Sequence, residues 1–363
     1  METIKIQSTG RAAGHPWVAL SQFPDSADRL SDGEPVSLLD ADGNSLGCGI
    51  FDRSDTRAAW RRYSQAEAVD FDEAYLGEVI VEAIQRRGDE ACQRLVDSDG
   101  DYLPGVVVEL YGDVVRLILE TGATRARVDL IADIIKEIVA PSELVVESGA
   151  GPQTLSGQGL KGRWVDVDDL HYRVDLLNTE KPRFYLDQRE QHALVGSLCG
   201  GRSVLDLFSH SGAFAMQAMR AGAERAVAVD LNEQYAKAIG ANAQRNEVAV
   251  EVVSSDALSY LCESKVGAFD AIVLDPPVGY FQDRSQCEGL HRSAFASLPE
   301  GGLLATYCRD VAAEDFERLI AGAAADVGRE ARIFARTSQP FDFPMLLNFP
   351  QSQTLRGLIL ELV

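Results

Sequence analysis

The sequence of 363 residues has six cysteines but no C-x-x-C pair, and its five histidines fall at no metal-ligand spacing. A structural zinc site is therefore not expected. The cysteines at 48, 92, 199, 262, 287 and 308 are expected to be free thiols in a reducing compartment. No apolar run is long enough to cross a bilayer. Met1 to Gly10 carries no basic stretch followed by an apolar core, so no signal peptide and a cytoplasmic location are expected. Positive charge is scarce as well: 34 Lys and Arg stand against 56 Asp and Glu, a formal net charge of −22. So acidic a chain repels RNA at long range, and RNA binding would have to rest on local charge. Two basic stretches are available, Arg53, Arg57, Arg61 and Arg62 interleaved with Trp60 and Tyr63, and Lys161, Arg163, Lys181, Arg183 and Arg189. Each reads equally as an RNA-facing surface or as ordinary solvated charge. High acidity is also a solubility device in a salty cytoplasm.

A G-x-G-x-x-G turn is missing too, and this bears on the most informative stretch, Val204 to Ala215. Val204-Leu205-Asp206-Leu207-Phe208 reads as a buried parallel strand. Ser209-His210-Ser211-Gly212 is a turn, and an amphipathic helix follows. The unit faces a ligand with backbone N–H groups, or is an ordinary strand–helix unit of an α/β protein. Ala226 to Asp230 is a second strand ending in a carboxylate suited to a ribose diol. Val250 to Val253 runs into Ser254-Ser255-Asp256, and Phe269 to Leu274 into Asp275-Pro276-Pro277. Polar groups thus collect at one edge of a sheet, where open α/β sheets bind ligands. With Gly212 as its one glycine the turn is a poor pyrophosphate cradle. S-adenosyl-L-methionine, which has a ribose, an adenine and a charged amino-acid tail but no phosphate, suits Asp206, Asp230 and Asp256 better. The two prolines fix the backbone after Asp275 and hold it toward a planar substrate group.

The chain divides into three expected domains. Residues 1–70 alternate short apolar segments with turns, including an Asp42-Gly43 hairpin signal, and read as a small β-barrel. Residues 71–181 are α+β: a helix over 71–87, a hairpin of strands 106–109 and 114–119, a helix over 128–139, a strand from Leu144, a glycine-rich exposed loop over 149–162, and two short strands over 164–177. Residues 182–363 form a doubly wound α/β domain with a fifth strand at Leu303 to Cys308. Ala331 to Thr337 and Leu355 to Val363 close its sheet as an antiparallel hairpin.

FYLDQR (Phe184 to Arg189), DLFSHSGAF (Asp206 to Phe214), VLDPP (Val273 to Pro277) and ATYCRD (Ala305 to Asp310) resemble the motifs of class I S-adenosylmethionine-dependent methyltransferases, most closely the RlmI-like family of ribosomal RNA cytosine-5 methyltransferases. HPWV near the N-terminus and DYLPGVVVELYGD (Asp101 to Asp113) extend the resemblance over the whole chain. It implies a Rossmann-like catalytic domain, a PUA-like barrel over 1–70 and a central α+β domain. It implies RNA, expected to be ribosomal, as partner, no membrane, and admits a homodimer. S-adenosyl-L-methionine is the expected cofactor, held by Tyr185, Gln188, Arg189, Asp206, Phe208, Ser209, Gly212, Asp230, Asp256, Asp275 and Pro276, with Phe184 and Asp187 in the same pocket wall. Cys308 is the expected nucleophile and Asp275 assists at the base. Carbon 5 of cytosine is a weak nucleophile; a thiolate added at carbon 6 makes the ring an enamine that attacks the methyl. Free cysteine has a pKa of about 8.5, so a nearby positive charge would help, and Arg309 or the sulfonium itself could supply it. The chain departs from the family at Val278, where a lysine is common, and at Tyr307 and Arg309, where serines flank the cysteine. Transfer to an exocyclic nitrogen, a small-molecule or protein methyltransferase, and a non-enzymatic RNA-binding protein remain the alternatives.

Overall fold

The computed structural model describes residues 1–7, 14–149, 151–156, 162–177 and 183–363; Lys161 and Lys181, and with them the expected boundary at 181, lie outside the described residues. Its contacts gather into two units, Met1–Lys161 with Phe341–Ser352, and Gly162–Pro340 with Gln353–Val363.

The first unit opens with β1 (Glu2–Lys5), β2 (Trp17–Val18), β3 (Glu34–Leu39), β4 (Ser45–Phe51) and β5 (Trp60–Ser64), a five-stranded sheet in the order β1-β3-β4-β5-β2. The expected hairpin joins β3 to β4. Asp40 accepts from the Asp42 and Asn44 amides at 2.9 and 2.8 Å, and Gly43 supplies a φ of +93°. Val36, Leu38, Phe51 and Trp60 fill the core, and the Trp60 indole donates to the Val36 carbonyl at 3.0 Å. Then come α1 (Glu73–Gln85), β6 (Cys92–Asp97), β7 (Val106–Tyr111), β8 (Val114–Leu119), α2 (Gly122–Arg125), α3 (Val128–Val139), β9 (Glu143–Glu147) and β10 (Pro152–Ser156). The strands form a second sheet, β10-β9-β8-β7-β6, packed on Leu76 and Ile80 of α1 and Ile131 and Ile135 of α3. The loop expected over 149–162 is corrected in part. Pro152 to Ser156 pair antiparallel with β9, since an open sheet edge offers backbone partners that a glycine-rich composition does not reveal.

The first basic stretch is also corrected. Arg53 donates to the carbonyls of Leu30, Ala27 and Asp28 at 2.7, 3.0 and 2.9 Å. Arg61 pairs with the buried Asp99, which also accepts from the Trp17 indole at 3.0 Å. Arg62 is 6% exposed and donates to the Gly14 carbonyl at 2.8 Å. These guanidiniums satisfy carbonyls and a carboxylate inside the unit. Of the stretch only Arg57 projects into solvent, 3.7 Å from Asp55.

The second unit comprises β11 (Arg163–Val167), β12 (Leu170–Val174), α4 (Arg189–Ser197), β13 (Ser203–Leu207), α5 (Ala213–Arg220), β14 (Arg225–Asp230), α6 (Glu233–Arg245), β15 (Val250–Ser254), α7 (Ala257–Glu263), β16 (Ala271–Leu274), α8 (Arg284–Ser297), β17 (Leu303–Cys308), α9 (Ala313–Asp326), β18 (Ala331–Ser338) and β19 (Arg356–Leu362). β11 and β12, expected in the middle stretch, form a hairpin that belongs here. Asn246 and Asn242 of α6 accept from the His171 and Arg173 amides at 2.7 and 3.0 Å. The seven-stranded sheet runs β15-β14-β13-β16-β17-β19-β18, parallel from β15 to β17, with β19 antiparallel to both β17 and β18. The expected closing hairpin is therefore present. Both faces are covered: Leu205, Leu207, Ile272, Leu274 and Leu304 meet α8 and α9, while Val204, Ala228, Val273, Ala305 and Tyr307 meet α5 and α6. No helix among the described residues is long and apolar enough to cross a membrane.

Removing one partner of a buried pair leaves an uncompensated charge, at about 3–5 kcal/mol. Arg61→Ala should therefore lower the free energy of unfolding measured by urea titration by an amount in that range, and the midpoint with it. An unchanged midpoint would return Arg61 to the free surface.

Candidate functional site

The carboxyl ends of β13 to β17 lie along one sheet edge, as expected, and the residues that follow them build the site. Between β13 and α5 the chain turns sharply. Phe208, His210 and Gly212 all have left-handed backbones, with φ of +62°, +51° and +76°. Non-glycine residues held there store strain, which is common where a loop is shaped for a ligand. A Cβ at Gly212 would lie 2.7 Å from Cγ2 of Ile239, so the close passage of α6 requires glycine. Ser209 donates to the Asp206 carbonyl at 2.5 Å and ties the turn to its strand.

Asp206 is the outlier of the core. It sits within an apolar strand, fully buried, with Oδ2 accepting from the Ala215 amide at 3.2 Å and Oδ1 without a partner. Burial pushes its carboxyl up to about 8, so it holds a proton at neutral pH until a cation or donor arrives. Asp230, at the end of β14, accepts from the His210 and Asn232 amides, both at 2.9 Å, and burial raises it too. A carboxylate has about four lone-pair sites, so Asp230 keeps capacity for a hydroxyl donor. Asp256, after β15, caps α7 by accepting from the Ser259 amide at 2.9 Å and lies exposed.

Asp275 follows β16, and Pro276 beside it is buried. Its Oδ1 accepts from Nη1 of Arg309 at 2.8 Å, and Nε of Arg309 donates to Asp187 at 3.0 Å. Burial raises the Asp275 carboxyl against the pull of that guanidinium. Nη2 of Arg309 is buried and unpartnered. The guanidinium lies 5.5 Å from the centroid of Tyr185, which is half exposed. Tyr185 packs on His210 at 4.4 Å, and His210 on Tyr235 at 4.9 Å, making an aromatic wall. Burial drives His192 and His210 down to about 3, so both rings are neutral.

The structure thus brings Tyr185, Asp187, Gln188, Asp206, Phe208, Ser209, Gly212, Asp230, Asp275 and Pro276 to one edge. Phe184 is placed elsewhere: it is 2% exposed and packs on Tyr172 and His192. Arg189 is buried at the start of α4. Cys308 is separated most clearly. It is 1% exposed in the cluster of Leu304, Cys287 and Phe316, on the sheet face opposite Tyr307, and its Sγ accepts from the Asp310 amide at 3.4 Å. Burial pushes the thiol up, and the Arg309 guanidinium expected to lower it is bound to Asp275 and Asp187 instead. Arg309 as partner of Asp275, and the Tyr235 and His192 rings, were missed. Strand alternation about Tyr307 was the one signal that places residue 309 and residue 308 on opposite faces.

The PUA-like domain family matches residues 10–62, and the family described as conserved hypothetical protein 95 matches residues 190–305. Ribosomal RNA large subunit methyltransferase I of Aeromonas hydrophila is 30% identical to the chain, over 96% of it and 95% of the relative. That of Tolumonas auensis is 29% identical, over 96% of both. A Streptococcus mutans protein assigned to the SAM-dependent methyltransferases superposes with a TM-score of 0.87 at 20% identity, over 99% of this chain and 100% of that one. A methyltransferase structure complexed with SAH gives 0.88 at 19% identity, with the same coverage. The fold is the Rossmann-like one, with a PUA-like domain at the N-terminus.

The Asp206 proton has a measurable consequence. The unfolded chain releases it near pH 4, the folded protein near 8, so the group's contribution to stability is complete below about 4 and is lost as pH rises to about 8. The free protein should lose a few kcal/mol, roughly, between pH 5 and pH 8 in urea titrations, and Asp206→Asn should lose less. Equal losses in the two proteins would contradict the buried-carboxyl account.

Proposed function

The chain belongs to the family of ribosomal RNA large subunit methyltransferase I, and from that premise we propose that it methylates a base of large-subunit ribosomal RNA. S-adenosyl-L-methionine is the cofactor, and it supplies an electrophilic methyl group on a sulfonium. The observation that carries the reading is Asp206: a fully buried carboxylate oxygen without a partner suits the cofactor's ammonium. Asp230 would take the ribose diol, Asp256 the adenine end, and the turn of Phe208, Ser209 and Gly212 the backbone contacts. Tyr185, Gln188 and Arg189 would close the pocket, and Asp275 with Pro276 would face the acceptor base. A three-domain division belongs to the same reading, with the β11–β12 hairpin counted in the catalytic part and the PUA-like part on the RNA.

Within this reading the motifs favour carbon 5 of cytosine, by the covalent route. The Cys308 thiolate adds at carbon 6, carbon 5 takes the methyl, a base removes the carbon 5 proton, and the thiol leaves. One specific observation favours a second route, direct transfer to a nitrogen. The thiol lies in the core, where burial outweighs the pull of the Arg356 charge and pushes it up, and the Arg309 guanidinium is bound to Asp275 and Asp187.

Nucleoside mass mapping of ribosomal RNA, treated with wild type or Cys308→Ala, separates the routes. The covalent route requires 5-methylcytidine with wild type and none with the variant. A methylated nitrogen, made equally well by the variant, selects the second. No new methylated nucleoside at all would remove the proposal. Asp230→Ala should weaken cofactor binding about tenfold or more in calorimetry, since hydrogen bonds to a charged group contribute roughly 1.5–3 kcal/mol. Undiminished affinity would take the ribose away from Asp230.

A further inference from the structure

We propose that Arg309 reads the acceptor base: its free Nη2 donates to the carbonyl of a cytosine whose exocyclic amine donates to Asp275, with the ring against Tyr185. The inference rests on the RNA-base reading above and holds for either route of transfer.

Arg309 is fixed as few surface arginines are. Nε and Nη1 are each bound to a carboxylate, Asp187 at 3.0 Å and Asp275 at 2.8 Å, which sets the plane of the guanidinium and hence the direction of Nη2. Nη2 is buried without an acceptor. Buried donors are seldom left unmade, and a fixed one at a ligand edge marks where an acceptor arrives. Beside it, Asp275 accepts at Oδ1 from Arg309, lies against the Gln188 amide, and keeps further lone pairs. The cluster therefore offers a donor next to an acceptor, in a plane, over the half-exposed ring of Tyr185.

The pairing edge of cytosine presents the complement, an acceptor carbonyl and ring nitrogen next to an amine donor. Uracil does not: a second carbonyl replaces the amine and would face the Asp275 carboxylate. A site built to hydrogen-bond a substrate's N–H rejects an analogue that lacks it far more strongly than an apolar pocket rejects a change of size. The Cys308 thiol is packed with Cys287 and Leu304, so contacts to the pairing edge fall to Arg309 and Asp275 by either route. Arg309 is thus a specificity residue, and Asp187 is a positioning residue that acts through it.

The test uses the full-length protein and two ribosomal RNA transcripts, one with the nucleotide mapped for wild type and one with uracil in its place. Arg309→Lys keeps the charge but loses the planar fork. It should lower kcat/KM on the cytosine transcript at least about tenfold and shrink the cytosine-over-uracil ratio, with calorimetric affinity for S-adenosyl-L-methionine retained. Asp187→Asn should shift the ratio in the same direction by less. A purely structural ion pair would lower turnover on both transcripts equally, and an unchanged ratio in Arg309→Lys overturns the proposal. So does a mapped wild-type target that is not cytosine. If wild type methylates no RNA, the functional reading itself has failed, and this inference with it.

Discussion

A carboxylate with one unmatched oxygen, Asp206, lies inside the parallel sheet, and the rest of the site is arranged around it. Its neighbours on the strand, Val204, Leu205 and Leu207, are apolar and buried, its own helix gives it a single amide, and burial holds its proton to about pH 8. Such a group weakens the free protein and is explained by what neutralises it. The strained turn at Phe208 and His210 follows its strand, Gly212 passes against Ile239, and the charge of Asp230 on the adjacent strand acts on the same carboxyl. A ligand with a cationic tail and a ribose fits this set. The strain and burial are borne by packing on both faces of the sheet.

The arginines tell a related story. In a chain with a net charge of −22, cations are few, and several are used internally. Arg53 and Arg62 satisfy backbone carbonyls, Arg61 neutralises Asp99, and Arg309 holds Asp187 and Asp275 together. Glu109, whose carboxyl is held down at about 2, lies between Arg94 and Arg116 in the first unit. At these internal arginines charge acts at short range and in low dielectric, where salt screens it little. The base recognition proposed for Arg309, Asp275 and Tyr185 belongs to the same regime.

Much of this was legible in the sequence. The strand–turn–helix at Val204 to Ala215 and the polar strand ends were readable because parallel strands are apolar on both sides and their carboxyl ends must carry the chemistry. The Asp42-Gly43 hairpin and the closing strands at the C-terminus were readable from turn chemistry and length. The orientation of Cys308 was not. A strand buried on both faces has no polar alternation to reveal which side a residue takes, so a cysteine at a strand end looks the same in the core and in the site. The arginines near Trp60 failed similarly, because composition does not distinguish a guanidinium bound to carbonyls from one in water. The β10 strand was hidden by glycine, since its pairing depends on the open edge of β9 and not on its own side chains.

The most direct test is proton release on cofactor binding. S-adenosyl-L-methionine is titrated into the protein near pH 7 in buffers of different ionisation enthalpy. If the buried Asp206 carboxyl ionises to meet the cofactor's cation, close to one proton should leave per molecule bound, and Asp206→Asn should release close to none. Binding by the wild type with no proton released would contradict the account at its centre.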